Sequence, residues 1–282
     1  MVRKFYLENE KGQKYNLMDK DNYCFLSSPT GLGYAYDTTY EQVGNSFITN
    51  IRQLQQGKIA GEAIFKSYDN YKNMVDYIEQ SKKLKFVYEI PFVNNKNTKF
   101  YKTVEISSAE KGEKDTDGYL HIPIEFNCKT LWYEETETVY DMAKSSGEIR
   151  WDFKWDSRFK SYDNRSFTFE NNGHVEAPIK LEIGGYVINP HLELYSNKIK
   201  IAELAFNMTL EEFEKILYST KDDELYVYKE NADGTLTNLF EDLDLQNYNF
   251  IKIPQGVSEI KLSADNEITD AKLTIFVEYK AV

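Results

Sequence analysis

The stretch from Asn172 to Pro190 constrains the fold more than any other part of this chain, because turn signals on both sides enclose a strand that alternates without a break. Within it, Ile179, Leu181 and Ile183 fall on one side of an extended backbone, and the charged residues between them fall on the other. A period of two residues is typical of a strand with one buried face and one solvated face. The stretch therefore predicts the opening of a β-sandwich.

The residues that follow this strand predict how the chain turns. Gly184 and Gly185 predict a tight hairpin, since glycine adopts positive φ without a steric cost. Asn189 and Pro190 predict a second turn, after which residues 191–195 alternate again. This order of turns and strands predicts a fold. Taken alone, it does not indicate a catalytic or binding activity.

The length of the chain predicts two domains, since 282 residues suffice for two cores of ordinary size. Hydrophobic residues make up 41% of the chain and charged residues 28%, which indicates a globular, soluble protein. No segment approaches the roughly 20 apolar residues that cross a bilayer, so no membrane partner is expected. Because Glu8 and Glu10 interrupt the basic start of the chain, we expect no secretory signal and a product that stays inside the cell that makes it.

The composition also limits the kinds of partner. Aromatic residues make up 15% of the chain, which suits the half-buried surface of strands and, in smaller part, subunit contacts. A net charge of -12 opposes binding to nucleic acid, whose sites need clustered Lys and Arg. Cys24 and Cys128 are too few for a disulfide framework or a zinc knuckle, so both thiols are expected to be reduced.

The first half of the chain alternates mostly with the period of strands. An opening hairpin is predicted from Phe5 to Leu17, with Gly12 in its turn. A turn at Gly31 is expected to feed a strand that alternates from Leu32 to Tyr36. The other predicted strands of this half cover residues 84–90, 100–106 and 120–126.

One helix is predicted in the first half, over residues 67–80. Tyr71, Met74 and Ile78 recur at spacings of three and four, which is typical of a helix that packs an apolar stripe on a core. Either Ser67 or Asp69 can cap its first turn. The first half is therefore predicted to be a sheet that carries one helix.

The second half is predicted to hold short strands and one further helix. Residues 209–217 predict that helix, because Thr209 and Glu212 have the spacing of a capping box and apolar residues follow at helical spacing. Residues 231–234 predict a hairpin turn. The predicted strands of this half, besides those above, cover residues 167–169, 225–228, 236–239, 258–262 and 272–279.

No residue stands in a pattern that predicts catalysis. His121, His174 and His191 are dispersed and lack the spacing of a helical metal pair, and the carboxylates are too abundant for one pair to be singled out. No Gly-x-Ser-x-Gly motif occurs, and neither cysteine lies beside a predicted helix N-terminus. We nominate no catalytic, cofactor-binding or metal-binding residue, and we expect a binding or assembly protein without a cofactor rather than an enzyme.

Short motifs follow one another in a fixed order along the chain. In the first half, after the opening hairpin, they are Gly57-Lys58-Ile59, Gly61-Glu62-Ala63-Ile64-Phe65, Leu84-Lys85-Phe86-Val87-Tyr88 and Ile124-Glu125-Phe126-Asn127-Cys128 before Trp132. In the second half they are Asn172-Gly173, Ala177-Pro178-Ile179, Gly184-Gly185, Asn189-Pro190 and residues 249–256. This order resembles that of distal tail proteins, the baseplate hub subunits of long-tailed bacteriophages.

The resemblance implies a mainly β fold in three parts. They are a ring-forming N-terminal β-domain with one helix over residues 1–133, a connection or embellishment over residues 134–165, and a C-terminal galectin-like β-sandwich over residues 166–282. The embellishment departs from the family pattern, so no family role is carried onto it. Its Trp151, Phe153, Trp155 and Phe159 could serve either a contact with another baseplate protein or packing between the domains.

The same resemblance implies a hexameric hub at the distal end of the tail tube. Such a hub is a virion component assembled in the bacterial host cytoplasm. It joins the tail tube protein to the tail-tip protein and, in many phages, carries receptor-binding proteins. DNA passes through such a ring without specific binding, which the acidic charge of this chain permits.

A ring of identical subunits needs complementary surfaces on each subunit, and an edge strand or a hairpin can provide one by extending a neighbour's sheet. The candidates are the opening hairpin from Phe5 to Leu17 and a hairpin arm near Gly31 to Gly61. The main alternative function is a carbohydrate-binding module acting in host surface adhesion, whose exposed aromatics would stack on sugar rings. A hydrolase of the bacterial cell wall is the third.

Overall fold

A computed structural model describes residues 3–19, 24–93, 96–141, 165–243, 250–266 and 268–282. Two compact units make up the chain: unit 1 is Met1–Glu134 with Tyr279–Val282, and unit 2 is Glu135–Glu278. Both are built from antiparallel strand pairs, and the described residues contain one α-helix, so the predicted mainly β fold is confirmed. The aromatic residues predicted to form an embellishment, residues 151–159, lie outside the described residues.

Unit 1 is a sheet in which one long strand has three neighbours. The strands that begin in it are β1 (Lys4–Asn9), β2 (Lys14–Asn16), β3 (Met18–Asp19), β4 (Cys24–Thr30), β5 (Tyr36–Val43), β6 (Ser46–Leu54), β7 (Lys58–Phe65), β8 (Leu84–Val93), β9 (Lys96–Ala109), β10 (Leu120–Cys128) and β11 (Trp132–Asp141). The strand β9 pairs with β8, β10 and β11. From β10 the order continues β7, β4, β3, and from β8 it continues β1, β2.

The core of unit 1 lies on the apolar side of these alternating strands. In β10 the residues at positions 120, 122, 124 and 126 are buried and those between them are more exposed, as the alternation predicts. Phe86 packs its ring against the rings of Phe126 and Trp132, at centroid distances of 5.9 and 6.2 Å. These aromatic contacts tie β8, β10 and β11 together on one face of the sheet.

The helix α1 (Tyr68–Glu79) confirms the one predicted in this half. Its N-cap is Ser67, whose hydroxyl accepts a hydrogen bond from the backbone NH of Asn70 at 3.2 Å, so Ser67 rather than Asp69 caps the first turn. Met74 and Ile78 bury the predicted stripe in the core of unit 1.

The strands β5 and β6 pair with each other and form a two-stranded sheet of their own. We call residues Tyr36–Leu54 the arm. Gly31 has a φ of +78°, which agrees with the predicted turn, but the strand begins at Tyr36 and not at Leu32. Residues 31–35 have no regular secondary structure.

Unit 2 contains two larger sheets and one small one. Its strands are β12 (Arg165–Asn171), β13 (Ala177–Gly184), β14 (Val187–Ile188), β15 (His191–Ser196), β16 (Ile199–Ala205), β17 (Thr209–Leu210), β18 (Lys215–Lys221), β19 (Glu224–Glu230), β20 (Leu236–Asn238), β21 (Lys252–Ile253), β22 (Gly256–Ser263) and β23 (Asp270–Tyr279). One sheet has the order β12, β22, β15, β16, and the other has β20, β19, β18, β13, β23. The predicted alternation of β13 is confirmed, since Ile179, Leu181 and Ile183 are each 1% exposed.

The helix predicted over residues 209–217 is wrong. The strands β17 and β18 occupy its ends, and the apolar residues do not share a face: Leu210 and Ile216 are buried, whereas Phe213 is 77% exposed. The Glu214 carboxylate accepts a hydrogen bond from the Glu211 backbone NH at 3.0 Å. A side chain outside the predicted capping box therefore closes a turn between the strands.

The tight hairpin predicted at Gly184 and Gly185 is also wrong, although a turn is present there. Gly185 has a φ of +86°, but the strand that follows, β14, pairs with β17 and not with β13. The sides of β13 are already occupied by β18 and β23. The second predicted turn is confirmed, with Asn189 at a φ of 47°.

Candidate assembly surface

The arm carries large apolar side chains that the described residues leave exposed. Phe47 is 69% exposed and Tyr40 is 62% exposed, and Ile48, Val43 and Ile51 are each about half exposed. A two-stranded hairpin is marginally stable alone, and exposed apolar clusters on folded proteins mark contact surfaces. The arm is therefore the part of unit 1 that most needs a partner.

Both faces of the arm are apolar. Phe47 lies opposite Gln42 and Leu54 lies opposite Tyr36, which places them with Tyr40 on one face. On the other face, Ile51 lies opposite Thr39, Ile48 lies opposite Glu41, and Val43 lies opposite Ser46. A hairpin with this pattern can contact neighbouring protein on both sides at once.

The root of the arm is held to unit 1 by hydrogen bonds on both chain segments that flank it. On the incoming side, the indole NH of Trp132 donates to the carbonyl of Leu32 at 2.9 Å. On the outgoing side, the amide of Gln56 donates to the carbonyl of Cys128 at 3.2 Å. A Cβ added at Gly31 would lie 1.6 Å from the carbonyl oxygen of Lys58, so only glycine fits where the chain passes β7.

Two cations surround the first side chain of the arm. Lys280 donates a hydrogen bond to the Tyr36 hydroxyl at 2.8 Å, and the guanidinium carbon of Arg52 lies 4.1 Å from the centre of the Tyr36 ring. The hydrogen bond from Lys280 is the main cause that lowers the pKa of Tyr36 below its usual value. Tyr34 packs edge-on against the same ring, with centroids 5.6 Å apart.

The other predicted contact element, the opening hairpin, is mostly internal. Phe5 and Leu7 are fully buried and Leu17 is 1% exposed. The strand β1 pairs on one side with β2 and on the other with β8, so it offers no free edge. The hairpin presents one outer strand, β2, of three residues. The structure thus separates the two candidates, because the arm is exposed and the opening hairpin is largely core.

His121 and His191 contact polar side chains. His121 lies between two carboxylates, with Nδ1 3.1 Å from Glu62 and Nε2 3.0 Å from Asp115, and the hydrogen bond with Glu62 is the main cause that raises its pKa. Nε2 of His191 lies 2.8 Å from the hydroxyl of Ser263. Within the described ranges, no group of three or more His, Cys, Asp or Glu side chains has an arrangement suited to a metal ion. Both cysteines are buried, and neither takes part in a disulfide.

None of the helical segments in the described part of the chain has the length and hydrophobicity needed to cross a bilayer.

The sheet that carries the arm matches a known family. Residues 4–129 fit the family model described as the N-terminal domain of the distal tail protein. This part of the chain is therefore similar to the distal tail protein N-terminal domain. The resemblance inferred from the order of motifs is thereby confirmed.

Solved phage structures share the fold over nearly the full length of this chain. Chains from the phage P2 baseplate in its activated conformation, with Ca and with Sr, align with a TM-score of 0.68 at 16% and 15% identity and cover 100% of both chains. The SPP1 Dit protein, described as a paradigm of the hub adsorption apparatus in phages that infect Gram-positive bacteria, aligns with a TM-score of 0.58 at 12% identity. It covers 96% of this chain and 98% of its own. No curated protein sequence matches the chain.

One contact of this surface was not predicted from the sequence. Lys280 lies 244 positions after Tyr36, and neither residue belongs to a motif. No local signal could have paired them, because a single cation and a single phenol are common on any protein surface.

Proposed function

We propose that the protein is a distal tail protein, a component of the phage virion, and that it assembles head to tail into a hexameric ring at the distal end of the tail tube. The ring joins the tube protein to the tail-tip protein, and its outer domain offers a platform for receptor-binding proteins. The task is mechanical linkage, so no catalytic residue is assigned. The observation that carries this proposal is the arm, a hairpin with apolar side chains on both faces and no cover from the described residues.

A ring of identical contacts requires that one subunit present a projecting surface and the next a receiving one. The arm fits the first role, because it leaves the sheet of unit 1 and pairs only with itself among the described residues. Its apolar residues would be covered by a second copy of the chain, which removes the exposed surface of Phe47 and Ile48 from water. The acidic balance of the chain supports a passage that repels the phosphates of DNA.

Native mass measurement tests the ring directly. The wild-type chain is expected to form a particle of six times 33.0 kDa. The arm can be replaced by a short Gly/Ser linker, because the backbone NH of Gln55 already donates to the carbonyl of Ala35 at 2.9 Å and holds the two ends together. This variant is expected to be a folded monomer, and a hexamer that persists without the arm would contradict the proposed contact.

Matched surface substitutions separate assembly from general surface polarity. Phe47→Ser with Ile48→Ser is expected to abolish the hexamer and leave the thermal unfolding of unit 1 unchanged. The control is Ile199→Ser with Ile201→Ser, which removes similarly exposed apolar side chains from β16 of unit 2. That control is expected to assemble as the wild type does.

A second candidate function, carbohydrate binding in host adhesion, is favoured by one cleft of unit 2. The cleft has a volume of about 260 Å³ and is lined in part by Tyr226, Tyr228, Asn238 and Phe240. The two tyrosine rings lie parallel, with centroids 5.7 Å apart and an angle of 14° between them. Flat rings beside an amide can stack on the apolar face of a sugar and bind its hydroxyls.

A glycan array distinguishes this candidate from the adaptor. Signal that disappears in Tyr228→Ala would favour adhesion. A hexamer with no glycan signal would favour the adaptor alone.

A further inference from the structure

The contact between Lys280 and Tyr36 lies where it can control the direction of the arm. Tyr36 is the first residue of β5, and it pairs with Leu54, the last residue of β6. This pair is therefore the rung at which the arm leaves unit 1. The residues before it, 31–35, form no regular secondary structure, so they can act as a pivot.

The other contacts at the root act outside the arm. Trp132 and Cys128 hold Leu32 and Gln56, which lie before β5 and after β6. Those two hydrogen bonds determine where the chain leaves and re-enters the sheet, and they leave the direction of the hairpin open. Among the hydrogen bonds of the described residues, the one from Lys280 to Tyr36 joins the arm itself to a residue distant in sequence.

The side of the contact that Lys280 provides is itself well anchored. Tyr279 packs its ring edge-on against Phe100 of β9, with centroids 5.5 Å apart. Tyr279 and Val282 both pack against the hydrophobic core of unit 1. Lys280 lies between Tyr279 and Val282 in the sequence, so its ammonium group reaches Tyr36 from a segment that packs on the core.

Arg52 closes the other side of the same ring. Arg52 lies opposite Thr38, one step along the face that carries Tyr36, and its guanidinium carbon lies 4.1 Å from the ring centre. The Nζ atom of Lys280, which donates to the hydroxyl, lies 5.6 Å from the same ring centre. The phenol is thus held by a charge-assisted hydrogen bond from Lys280 and by the guanidinium of Arg52 over its ring.

We propose that Lys280 is the positioning residue of the arm, which sets the arm's direction so that its apolar faces meet the neighbouring subunit in the ring. This inference rests on the proposed role of the arm in assembly. It adds that the arm is oriented before it meets its partner, which reduces the conformational entropy lost on association. Lys280 follows β23 of unit 2, so the arm is oriented only after the chain has passed through unit 2 and residues 279–282 have docked on unit 1.

The test measures the direction of the arm and the strength of assembly separately. Spin labels at Ser46→Cys on the tip of the arm and Asn73→Cys on α1 report the arm's direction in dilute monomer. Lys280→Met keeps the aliphatic stem and removes the charge, and it is expected to broaden the distance distribution. The same variant is expected to raise the dissociation constant of the ring roughly tenfold, as loss of one charge-assisted hydrogen bond would.

Three further variants keep the result decisive. Tyr36→Phe keeps the ring, removes the hydroxyl and is expected to broaden the distribution in the same way. Lys280→Arg is expected to restore both the narrow distribution and the wild-type dissociation constant. Lys215→Met makes the same change at an exposed lysine of unit 2 and is expected to change neither.

The outcomes separate this inference from the ring itself. Narrow distributions and unchanged dissociation constants in both Lys280→Met and Tyr36→Phe would overturn the positioning role even if the ring forms. A wild-type chain that stays monomeric would overturn the ring, while the spin-label distances in the monomer would still decide whether Lys280 orients the arm. A fall in thermal stability without a change in distance would assign Lys280 a merely structural role and reject the inference.

Discussion

Two β-hairpins of unit 1, the opening hairpin and the arm, are both rich in apolar residues but have opposite surroundings. In the opening hairpin, β1 is covered by β8, and Phe5 stacks on Tyr88 at a centroid distance of 4.9 Å. In the arm, β5 and β6 pair only with each other, and Phe47 is 69% exposed. Strands rich in apolar residues thus form a hairpin in both cases, but a neighbouring strand makes one hairpin part of the core, and the hairpin without such a neighbour stays a contact surface.

The strongest test of this contrast compares one phenylalanine from each hairpin. Phe5→Ala is expected to reduce the free energy of unfolding by about 3–5 kcal/mol, because it empties a fully buried site. Phe47→Ala is expected to change it by less than about 0.5 kcal/mol, because the side chain lies in solvent in the monomer. Urea denaturation under monomeric conditions measures both. Equal losses would mean that the arm is covered within its own chain.

Two glycines sharpen the contrast between the root of the arm and its tip. Gly31→Ala is expected to cost about 2–4 kcal/mol, since the added Cβ meets a carbonyl oxygen and φ is positive. Gly44→Ala at the tip also has a positive φ, but nothing lies within 4 Å of its added Cβ, so about 1 kcal/mol is expected. Thermal unfolding of the two variants side by side checks the difference, and a tolerant Gly31 would show that the root can shift.

The indole of Trp132 tests whether the root is held by its hydrogen bond. Trp132→Phe removes the donor to the Leu32 carbonyl and some buried volume, so a loss of about 1–3 kcal/mol is expected. Hydrogen exchange should speed up at residues 31–35 and not in β1. Unchanged exchange there would assign Trp132 to core packing alone.

The smallest expected effect on stability concerns His121, whose side chain is held by charged neighbours rather than by burial. His121 bridges Glu62 and Asp115, and its pKa is raised above 6.5 mainly by the hydrogen bond with Glu62. Because the folded pKa exceeds the unfolded one, the stabilisation is fully present below the unfolded pKa and is lost as pH rises through the folded pKa. The groups are exposed to solvent, so the effect is expected to be small.

Thermal unfolding at several pH values checks this sign. The stability difference between the wild type and His121→Gln is expected to be larger below pH 6.5 than in alkaline solution. A difference that grows with rising pH would show that the neutral imidazole, not the imidazolium, makes the contact.

The strands and the first helix could be predicted because their signals are local. The alternation in β10 and β13 and the stripe on α1 repeat with the period of the backbone, so the buried side follows from sequence alone. The helix predicted over residues 209–217 also depended on a local signal, and that prediction was wrong. Val187 of β14 pairs with Leu210, and this strand pairing overrides the helical spacing.

The candidate assembly surface was predicted in part. The turn at Gly31 and the family motifs indicated a hairpin arm in the right place, whereas the opening hairpin was an equal candidate until its burial was known. The sequence of the first residues does not indicate that β8 pairs with β1, because the two strands meet only when the sheet forms.

The order of residues alone specified alternating strands, a capped helix and a mainly β fold, since each depends on neighbours a few positions away. Only the folded chain decided which hairpin is core, which is exposed, and that Lys280 reaches Tyr36 across 244 positions. Contacts between distant segments have no periodic signature, and they form when the sheet brings the segments together.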